Sequence, residues 1–288
     1  MPSVLIAGCG YVGGVAADLF QNAGWTVEGW TKSPASAEQA SQKHYTVRAV
    51  DLSNASEVSA CGSQFELVIH CASTRGGDVA LYRQVYADGM RNLFESFPDS
   101  TILFVSSTSV YAQTSGEWIT EKSPAAPEHE RGKILREAEQ IVLDHGGIIA
   151  RFAGIYGPRR SYLLQRFLTG EAVIDSKNDR FVNQVHRDDA ASALFLLAGL
   201  RSNLSGEVFN VSDGQPTLQT ECYRWLATRL NRPLPPTDEL KAARKRGRSS
   251  KRVSNAKLRD LGWAPRYPNF AEAMDKSILP SFLSKSPV

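Results

Sequence analysis

Short apolar runs alternate with amphipathic stretches along the first half of the chain. Apolar runs bounded by turn residues indicate buried strands, and apolar positions three and four residues apart indicate helices. The pattern predicts strands at 3–7, 26–30, 46–50, 67–71, 101–106 and 147–151, with helices at 12–23, 80–97 and 133–145. Because strands and helices alternate, we predict an α/β fold, a doubly wound parallel sheet of Rossmann type with helices on both faces.

The pattern changes after residue 157. It predicts helices at 161–170, 188–200 and 218–230 and strands at 181–185 and 207–211, followed by a proline-rich turn, a basic segment and a polar C-terminal tail. We therefore expect two domains. A Rossmann domain takes residues 1–157 and 181–212, and a small substrate-binding lobe takes residues 158–180 and 213–288.

Composition narrows the class of protein. The 288 residues are 42% hydrophobic and 22% charged, which is typical of a globular chain. The four cysteines are scattered, no apolar run reaches the length of a membrane span, and the N-terminal segment lacks the features of a signal peptide. We expect a reduced, cytoplasmic protein with no membrane partner. The five histidines show no metal-ligand spacing, so we also expect no metal site.

The net charge of +3 is unevenly distributed. Seven cations and no acid lie between Lys241 and Arg252, so the rest of the chain is net acidic. A nucleic-acid-binding protein should carry positive charge over a whole face, so we expect a small-molecule partner and no nucleic acid. The basic segment is either a solvated loop or an element that binds a phosphate or carboxylate. In the second case Lys251 and Arg252 are the substrate-binding candidates.

A glycine-rich turn follows the first predicted strand and opens the first helix. Gly8, Gly10 and Gly13 form a G-x-G-x-x-G pattern, with Tyr11 and Val12 in the same turn. Gly8 permits a tight turn, Gly10 lets a pyrophosphate approach the backbone, and Gly13 lets helix and strand pack closely. The free N–H groups at the helix N-terminus favour the negative charge of that pyrophosphate. The turn predicts a dinucleotide site.

The end of the second strand distinguishes the two nicotinamide cofactors. NAD sites usually place an acid there to hold the ribose 2′-hydroxyl, whereas this chain has Thr31 and Lys32. A lysine attracts a 2′-phosphate, and the threonine hydroxyl can hydrogen-bond to it. The sequence favours NADP(H) over NAD(H), with a merely solvated Lys32 as the alternative.

Several further segments, in order along the chain, resemble those of the extended short-chain dehydrogenase/reductases, the NAD-dependent epimerase/dehydratase family. They are VDL at 50–52, VIHCAS at 68–73, SSTSVY at 106–111, RFAGIYGP at 151–158, VHRDD at 185–189, GEVFNV at 206–211 and LRDLGWAP at 258–265. The resemblance implies that the acid of VDL contacts adenine and that VIHCAS lines the cofactor ribose. The cofactor contacts it implies are Asp51, Leu52, Cys71, Ala72, Ser73, Lys133 and Tyr156.

The resemblance also implies a catalytic set, and one member is missing. The family uses a serine or threonine together with a Y-x-x-x-K pair, in which the lysine lowers the tyrosine pKa so that a phenolate acts as base. Ser107 takes the serine position and Lys133 the lysine position, but His129 stands where the tyrosine should be. The chain therefore resembles an atypical member of the family.

Three residues are candidates for the role of the missing tyrosine. His129 is either a neutral imidazole base or a solvated residue at the start of a helix. Tyr111 and Tyr86 are the alternative phenols and are also substrate-binding candidates. We expect an epimerase/dehydratase-like oxidoreductase that acts on a small polar or sugar-like substrate. The alternative is a non-catalytic NADP(H)-binding redox-sensing or regulatory module, and the resemblance leaves a homodimer open.

Overall fold

The computed structural model describes residues 1–62, 64–74, 76–175, 177, 179–237 and 249–283. Two compact units divide the chain. Unit 1 comprises Met1–Tyr111, Pro124–Phe152 and Ala190–Phe209, and unit 2 comprises Ala112–Ser123, Ala153–Asp189 and Asn210–Val288. The predicted domain boundaries stay a prediction, and each unit is described by itself below.

A seven-stranded sheet organises the fold, with strand order β11-β7-β5-β4-β1-β2-β3. The strands are β1 (Ser3–Ala7), β2 (Thr26–Thr31), β3 (Thr46–Ala49), β4 (Leu67–His70), β5 (Thr101–Ser107), β6 (Trp118–Ile119), β7 (Ile148–Phe152), β8 (Gly154–Tyr156), β9 (Phe181–Val182), β10 (Gln184–His186), β11 (Val208–Val211), β12 (Thr217–Leu218) and β13 (Arg252–Val253). The pairs from β3 through β7 are parallel. The predicted α/β fold with a parallel Rossmann-type sheet is confirmed.

The register of the central strands brings their carboxyl ends to one edge. Ala7, the last residue of β1, pairs with Trp30 of β2 on one side and with His70 of β4 on the other. The four residues from Val4 to Ala7 are fully buried, as expected for a central strand covered on both faces. The loops after β1, β2 and β4 therefore emerge together, which is where open α/β sheets bind ligands.

The helices are α1 (Gly13–Asn22), α2 (Pro34–Gln39), α3 (Ala55–Ser59), α4 (Val79–Arg83), α5 (Gly89–Ser96), α6 (Glu130–Asp144), α7 (Tyr162–Leu168), α8 (Arg187–Gly199), α9 (Gln219–Leu230), α10 (Ala256–Asp260), α11 (Phe270–Ala273) and α12 (Leu279–Leu283). The single helix predicted at 80–97 is interrupted, because a π-helical turn at Gln84–Asp88 separates α4 from α5. A second π-helical turn, Met274–Ile278, lies between α11 and α12. No described helix is long and apolar enough to cross a membrane.

Two predictions for the second half of the chain are wrong. The strand predicted at 181–185 is split at Asn183 into β9 and β10, because β9 pairs antiparallel with β12 whereas β10 pairs parallel with β8. The expected polar C-terminal tail is helical and buries Phe270, Met274 and Ile278 in the core of unit 2. Their spacing of four residues is a helical signal in the sequence, which the prediction of a polar tail overlooked.

Candidate functional site

The glycine-rich turn after β1 leaves no room for side chains at two positions. Gly8 has φ of 112°, and a Cβ there would lie 2.2 Å from the backbone N of Ala72. A Cβ on Gly13 would lie 2.2 Å from Gly8 O. Gly10 is exposed, and its N–H donates to Gly8 O (2.7 Å). The turn therefore packs backbone against backbone, with Gly10 at its open side.

The N-terminus of α1 suits an anion. Its N-cap residue is Val12, which follows Tyr11 and whose apolar side chain cannot accept a hydrogen bond from the first turn. That first turn also contains no acid. The orphan N–H groups of a helix start need an acceptor, and the helix dipole favours one with negative charge. The turn fits the pyrophosphate of a dinucleotide.

Lys32 follows Thr31, the last residue of β2, and forms an ion pair with Asp51 (Nζ to Oδ2, 2.8 Å). The Asp51 carboxylate also accepts the N–H (3.0 Å) and hydroxyl (2.8 Å) of Ser53. Burial raises the pKa of Asp51, but the hydrogen bonds from Lys32 and Ser53 and the lysine charge outweigh it and lower the pKa. The next residue, Leu52, is buried. Any phosphate that binds Lys32 must compete with Asp51.

The loop after β4 packs against the glycine-rich turn. The N–H of Cys71 donates to Ala7 O (2.9 Å), and its thiol donates to Gly8 O (3.1 Å). Burial raises the pKa of the Cys71 thiol, so it stays neutral near pH 7. Ala72 faces Gly8, and Ser73 follows it in the exposed part of the loop. A dinucleotide bound at the glycine-rich turn would extend towards these residues.

The three predicted catalytic side chains each have a local partner. Ser107, the last residue of β5, accepts the N–H of Ser109 at its hydroxyl oxygen (3.1 Å). His129 is the N-cap of α6, and its Nδ1 accepts the N–H of Gly132 (2.9 Å). Lys133 Nζ pairs with Glu130 Oε1 (2.7 Å), and the lysine side chain is 55% exposed. His129 thus has the structural role that was its alternative, and its catalytic role stays a prediction.

A buried ion pair lies between β5, α6 and β7. Glu139 is fully buried and accepts the Ser106 hydroxyl (2.6 Å), Arg151 Nε (2.9 Å), Arg151 Nη2 (2.7 Å) and Arg136 Nη1. Arg151 Nη1 donates to the hydroxyl of Tyr111 (2.8 Å), which is 1% exposed. The sequence-based prediction missed this pair, although an acid on the apolar stripe of α6 was a signal for it. The Tyr111 phenol is therefore part of the interior of unit 1.

Tyr86, the other candidate phenol, lies in the π-helical turn and is buried. Its ring stacks on His70 (6.0 Å between centroids) and lies 4.5 Å from the ring of Tyr82. Tyr86 thus packs on His70, the last residue of β4.

The remaining candidates lie in unit 2. Tyr156 ends β8, is 1% exposed and stacks on Phe270 (6.4 Å between centroids). The guanidinium of Arg252 lies over the rings of Trp118 (5.3 Å) and Phe181 (5.2 Å). Residues 241–248 of the basic segment lie outside the described residues. Across the described ranges, no group of three or more His, Cys, Asp or Glu side chains is arranged to hold a metal ion.

The fold and the turn define a dinucleotide-binding class of α/β protein. The family model for the NAD dependent epimerase/dehydratase family matches residues 4–212, and the chain belongs to that family. This confirms the resemblance predicted from the motifs. No curated protein matches the chain significantly.

Solved structures of similar fold cover nearly the whole chain. A candidate NAD-dependent epimerase/dehydratase from Methylobacillus flagellatus is 26% identical, with a TM-score of 0.81 over 98% of this chain and 99% of that one. A dTDP-glucose 4,6-dehydratase from Bacillus anthracis in complex with NAD is 15% identical (TM-score 0.81; 99% and 97% covered). A UDP-glucuronic acid 4-epimerase from Bacillus cereus in complex with NAD is 16% identical (TM-score 0.79; 98% of each). The last two share the fold alone.

Proposed function

We propose that this protein is a nicotinamide-dependent oxidoreductase of the epimerase/dehydratase type that acts on a small polar or sugar-like substrate without the family's usual tyrosine. The observation that carries the proposal is the turn after β1, where Gly8 and Gly13 exclude side chains and Val12 leaves the start of α1 uncapped. A bound nicotinamide supplies the hydride chemistry. The chain's own residues bind and orient the reactants.

NADP(H) is the cofactor that Lys32 favours. A 2′-phosphate carries more negative charge than the Asp51 carboxylate and offers more acceptor oxygens, so it displaces Asp51 from the lysine. The ion pair is largely exposed on the lysine side (61%), and such pairs contribute below about 1 kcal/mol. Asp51, once released, is available to the adenine amino group.

The predicted catalytic residues retain the capacity for their roles. The Ser107 hydroxyl oxygen accepts a hydrogen bond from Ser109, which leaves its own hydrogen free to donate to a substrate oxygen. Lys133 pairs with the exposed Glu130, so a cofactor ribose hydroxyl can compete for it. In the proposal, Lys133 holds the nicotinamide ribose and Ser107 orients the substrate.

Arg252 is the proposed contact for an anionic group of the substrate. Its guanidinium lies over two aromatic rings, and its Nε donates to Gly116 O (2.7 Å). A similar structure, MoeE5 (18% identical, TM-score 0.78), is in complex with UDP-glucose and NAD. A phosphate- or carboxylate-bearing substrate would suit the arginine.

Calorimetric titration with NADPH and NADH tests the proposal. NADPH should bind the wild-type protein at least tenfold more tightly, about 1.4 kcal/mol, and Lys32→Ala should lose that margin. Lys43→Ala is the matched control, because Lys43 forms a similar exposed ion pair with Asp18 (2.7 Å). Equal or tighter NADH binding overturns the preference for NADP(H). Failure to bind either cofactor overturns the proposed function.

A further inference from the structure

The carbonyl oxygen of Gly8, in the glycine-rich turn, accepts two hydrogen bonds. One comes from the N–H of Gly10 inside the turn (2.7 Å), and the other comes from the thiol of Cys71 in the loop after β4 (3.1 Å). A carbonyl oxygen has two lone pairs and no hydrogen to donate, so the thiol hydrogen points to Gly8 O and both bonds exist together. Cys71 is therefore bonded to the turn as well as packed beside it.

The sulfur of Cys71 also lies in the space that a side chain at position 13 would need. A Cβ atom on Gly13, the first residue of α1, would lie 2.7 Å from Cys71 Sγ and 2.2 Å from Gly8 O. The glycine at position 13 thus lets the thiol and the Gly8 carbonyl meet at the start of the helix. This is the helix end whose N–H groups suit a pyrophosphate.

The two sides of the turn are held differently. On the β2 side, the N–H groups of Gly8 and Cys9 donate to Trp30 O (3.1 and 2.7 Å), and these bonds do not depend on the type of side chain. On the β4 side, the N–H of Cys71 donates to Ala7 O (2.9 Å), and its thiol reaches one residue further to Gly8. The bond into the turn on this side therefore depends on the residue type at position 71.

We propose that Cys71 is a positioning residue of the dinucleotide site: its thiol keeps the Gly8 carbonyl bonded, so that the N–H of Gly10 is released to the pyrophosphate. This inference rests on the proposed function and deepens it, because it names the side chain that prepares the turn for the pyrophosphate half of the cofactor. Cys71 acts on the turn, and its role does not require contact with the reacting atoms.

The N–H of Gly10 shows why a second donor to Gly8 O matters. Gly10 is exposed at the open side of the turn, and its bond to Gly8 O spans two residues, as in a γ-turn. A phosphate oxygen that approaches there is charged and is therefore a stronger acceptor than a carbonyl. Once the Gly10 N–H donates to it, a Gly8 carbonyl without another donor would be unsatisfied, which is unfavourable. The Cys71 thiol avoids this cost, because it already donates to the same oxygen.

The thiol keeps the hydrogen that this role requires. Burial raises the pKa of Cys71, and the thiol of Cys9 raises it further. A neutral thiol donates, whereas a thiolate would accept and would repel both the Gly8 carbonyl and a pyrophosphate. Serine at position 71 would keep a donor in a smaller side chain, and alanine would remove it. Valine would replace the volume without the donor.

Infrared spectroscopy of the full chain tests the thiol bond without cofactor. The S–H stretching band that is lost in Cys71→Ala should lie at a lower frequency than the band that is lost in Cys61→Ala. The Cys71 thiol lies 3.1 Å from its acceptor, whereas the Cys61 thiol lies 3.4 Å from Glu57 O, and a closer acceptor weakens the S–H bond more. A Cys71 band at an equal or higher frequency contradicts the bond to Gly8.

Calorimetric titration with NADPH, or with NADH if the wild type binds it more tightly, tests the positioning role. Cys71→Ala should raise the cofactor Kd about tenfold, because the Gly8 carbonyl of the complex lacks a donor. Cys71→Ser should bring the Kd back to within about threefold of the wild type, whereas Cys71→Val should not. Cys61→Ala is the matched control and should leave the Kd unchanged, since it removes a buried thiol of unit 1 that also donates to a backbone carbonyl.

The variants separate donation from packing, and the inference from the proposed function. If Cys71→Val binds normally while Cys71→Ser binds as weakly as Cys71→Ala, the volume at position 71 matters and the donor role is wrong. A Kd in Cys71→Ala within about threefold of the wild type overturns the inference, while the proposed function stands. If Cys71→Ala does not fold, the comparison of Cys71→Ser with Cys71→Val makes the same test. If neither cofactor binds the wild type, the proposed function fails and the inference falls with it.

Discussion

Two regions of unit 1 carry family motifs, and they are built in different ways. The glycine-rich turn and the β4 loop meet backbone to backbone, with Gly8 against Ala72. At the end of β5 and the start of α6, the motif positions carry side chains that cap or pair locally, such as Ser107 and His129. A motif glycine that has no room for a Cβ atom cannot be replaced by another residue. At a motif position with a side chain, the residue type and its function can change while the fold is kept.

The second region is nevertheless stabilised by buried polar contacts. Glu139, Arg151 and Ser106 form a buried hydrogen-bonded group that joins α6, β7 and β5. The residues above it, His129 and Lys133, are exposed. The structure of the region therefore depends on the buried group, and its chemistry depends on exposed side chains that can vary independently.

The largest effect is expected from Glu139→Ala. Removing this carboxylate leaves the guanidinium of Arg151 buried without its partner, and loss of one member of a buried pair costs about 3–5 kcal/mol. Urea denaturation of the full chain measures it. Glu137→Ala is the control, since Glu137 on the same helix pairs with exposed Arg83 and should cost below about 1 kcal/mol. Equal costs for the two variants would contradict the view that the buried group holds this region.

Gly8→Ala should destabilise the first region by about 2–4 kcal/mol and abolish cofactor binding. The added Cβ would lie 2.2 Å from the backbone N of Ala72, and φ of 112° is unfavourable for any side chain. Gly14→Ala is the matched control, because its Cβ would come no nearer than 3.9 Å to Cys9 O. It should be neutral or slightly stabilising within α1. Normal cofactor affinity in Gly8→Ala would contradict the close packing of residue 8 against the backbone of Ala72.

The sequence predicts the two regions to different extents, because one depends on backbone packing and the other on side-chain contacts. The strands and the glycine-rich turn were predictable, since burial on both faces and exclusion of Cβ leave direct marks on residue type. The interruption of the helix at Gln84–Asp88 was not, because a π turn keeps the helical spacing of apolar residues on either side. The ring contact of Tyr82 with Tyr86, four residues apart, is one that a regular helix also allows.

The candidate site shows a second limit of sequence-based prediction. Glu139 lies on α6 and Arg151 on the strand that follows, β7, and only the packing of that helix against the sheet brings the two side chains together. The Lys32–Asp51 pair was missed for the same reason, although each residue was singled out for a separate role. Patterns carried by one segment of the chain could be predicted, whereas partners were missed where two elements had to pack together.

Two variants of His129, in the second region, test whether the role of this histidine is structural or catalytic. His129→Ala removes the acceptor for the Gly132 N–H and should cost about 1 kcal/mol in unfolding free energy. His129→Asn keeps an N-cap acceptor and should restore that stability. Thermal or urea unfolding of both variants measures the difference. Full stability with lost turnover in His129→Asn would restore the imidazole to the catalytic set, whereas full stability with full turnover fits a cap.

The smallest effect is expected at Lys32 and Asp51, where the first region is exposed. Because the hydrogen bonds and charge lower the folded-state pKa of Asp51 below its unfolded value, the pair stabilises the protein above about pH 4. That stabilisation is lost as the pH falls through the folded-state pKa. For a pair this exposed it amounts to less than about 1 kcal/mol. Carboxyl NMR titration should show the pKa of Asp51 rising in Lys32→Ala. An unchanged pKa would mean that Ser53 alone holds the carboxylate, and Lys32 would then be free for a 2′-phosphate without any competition.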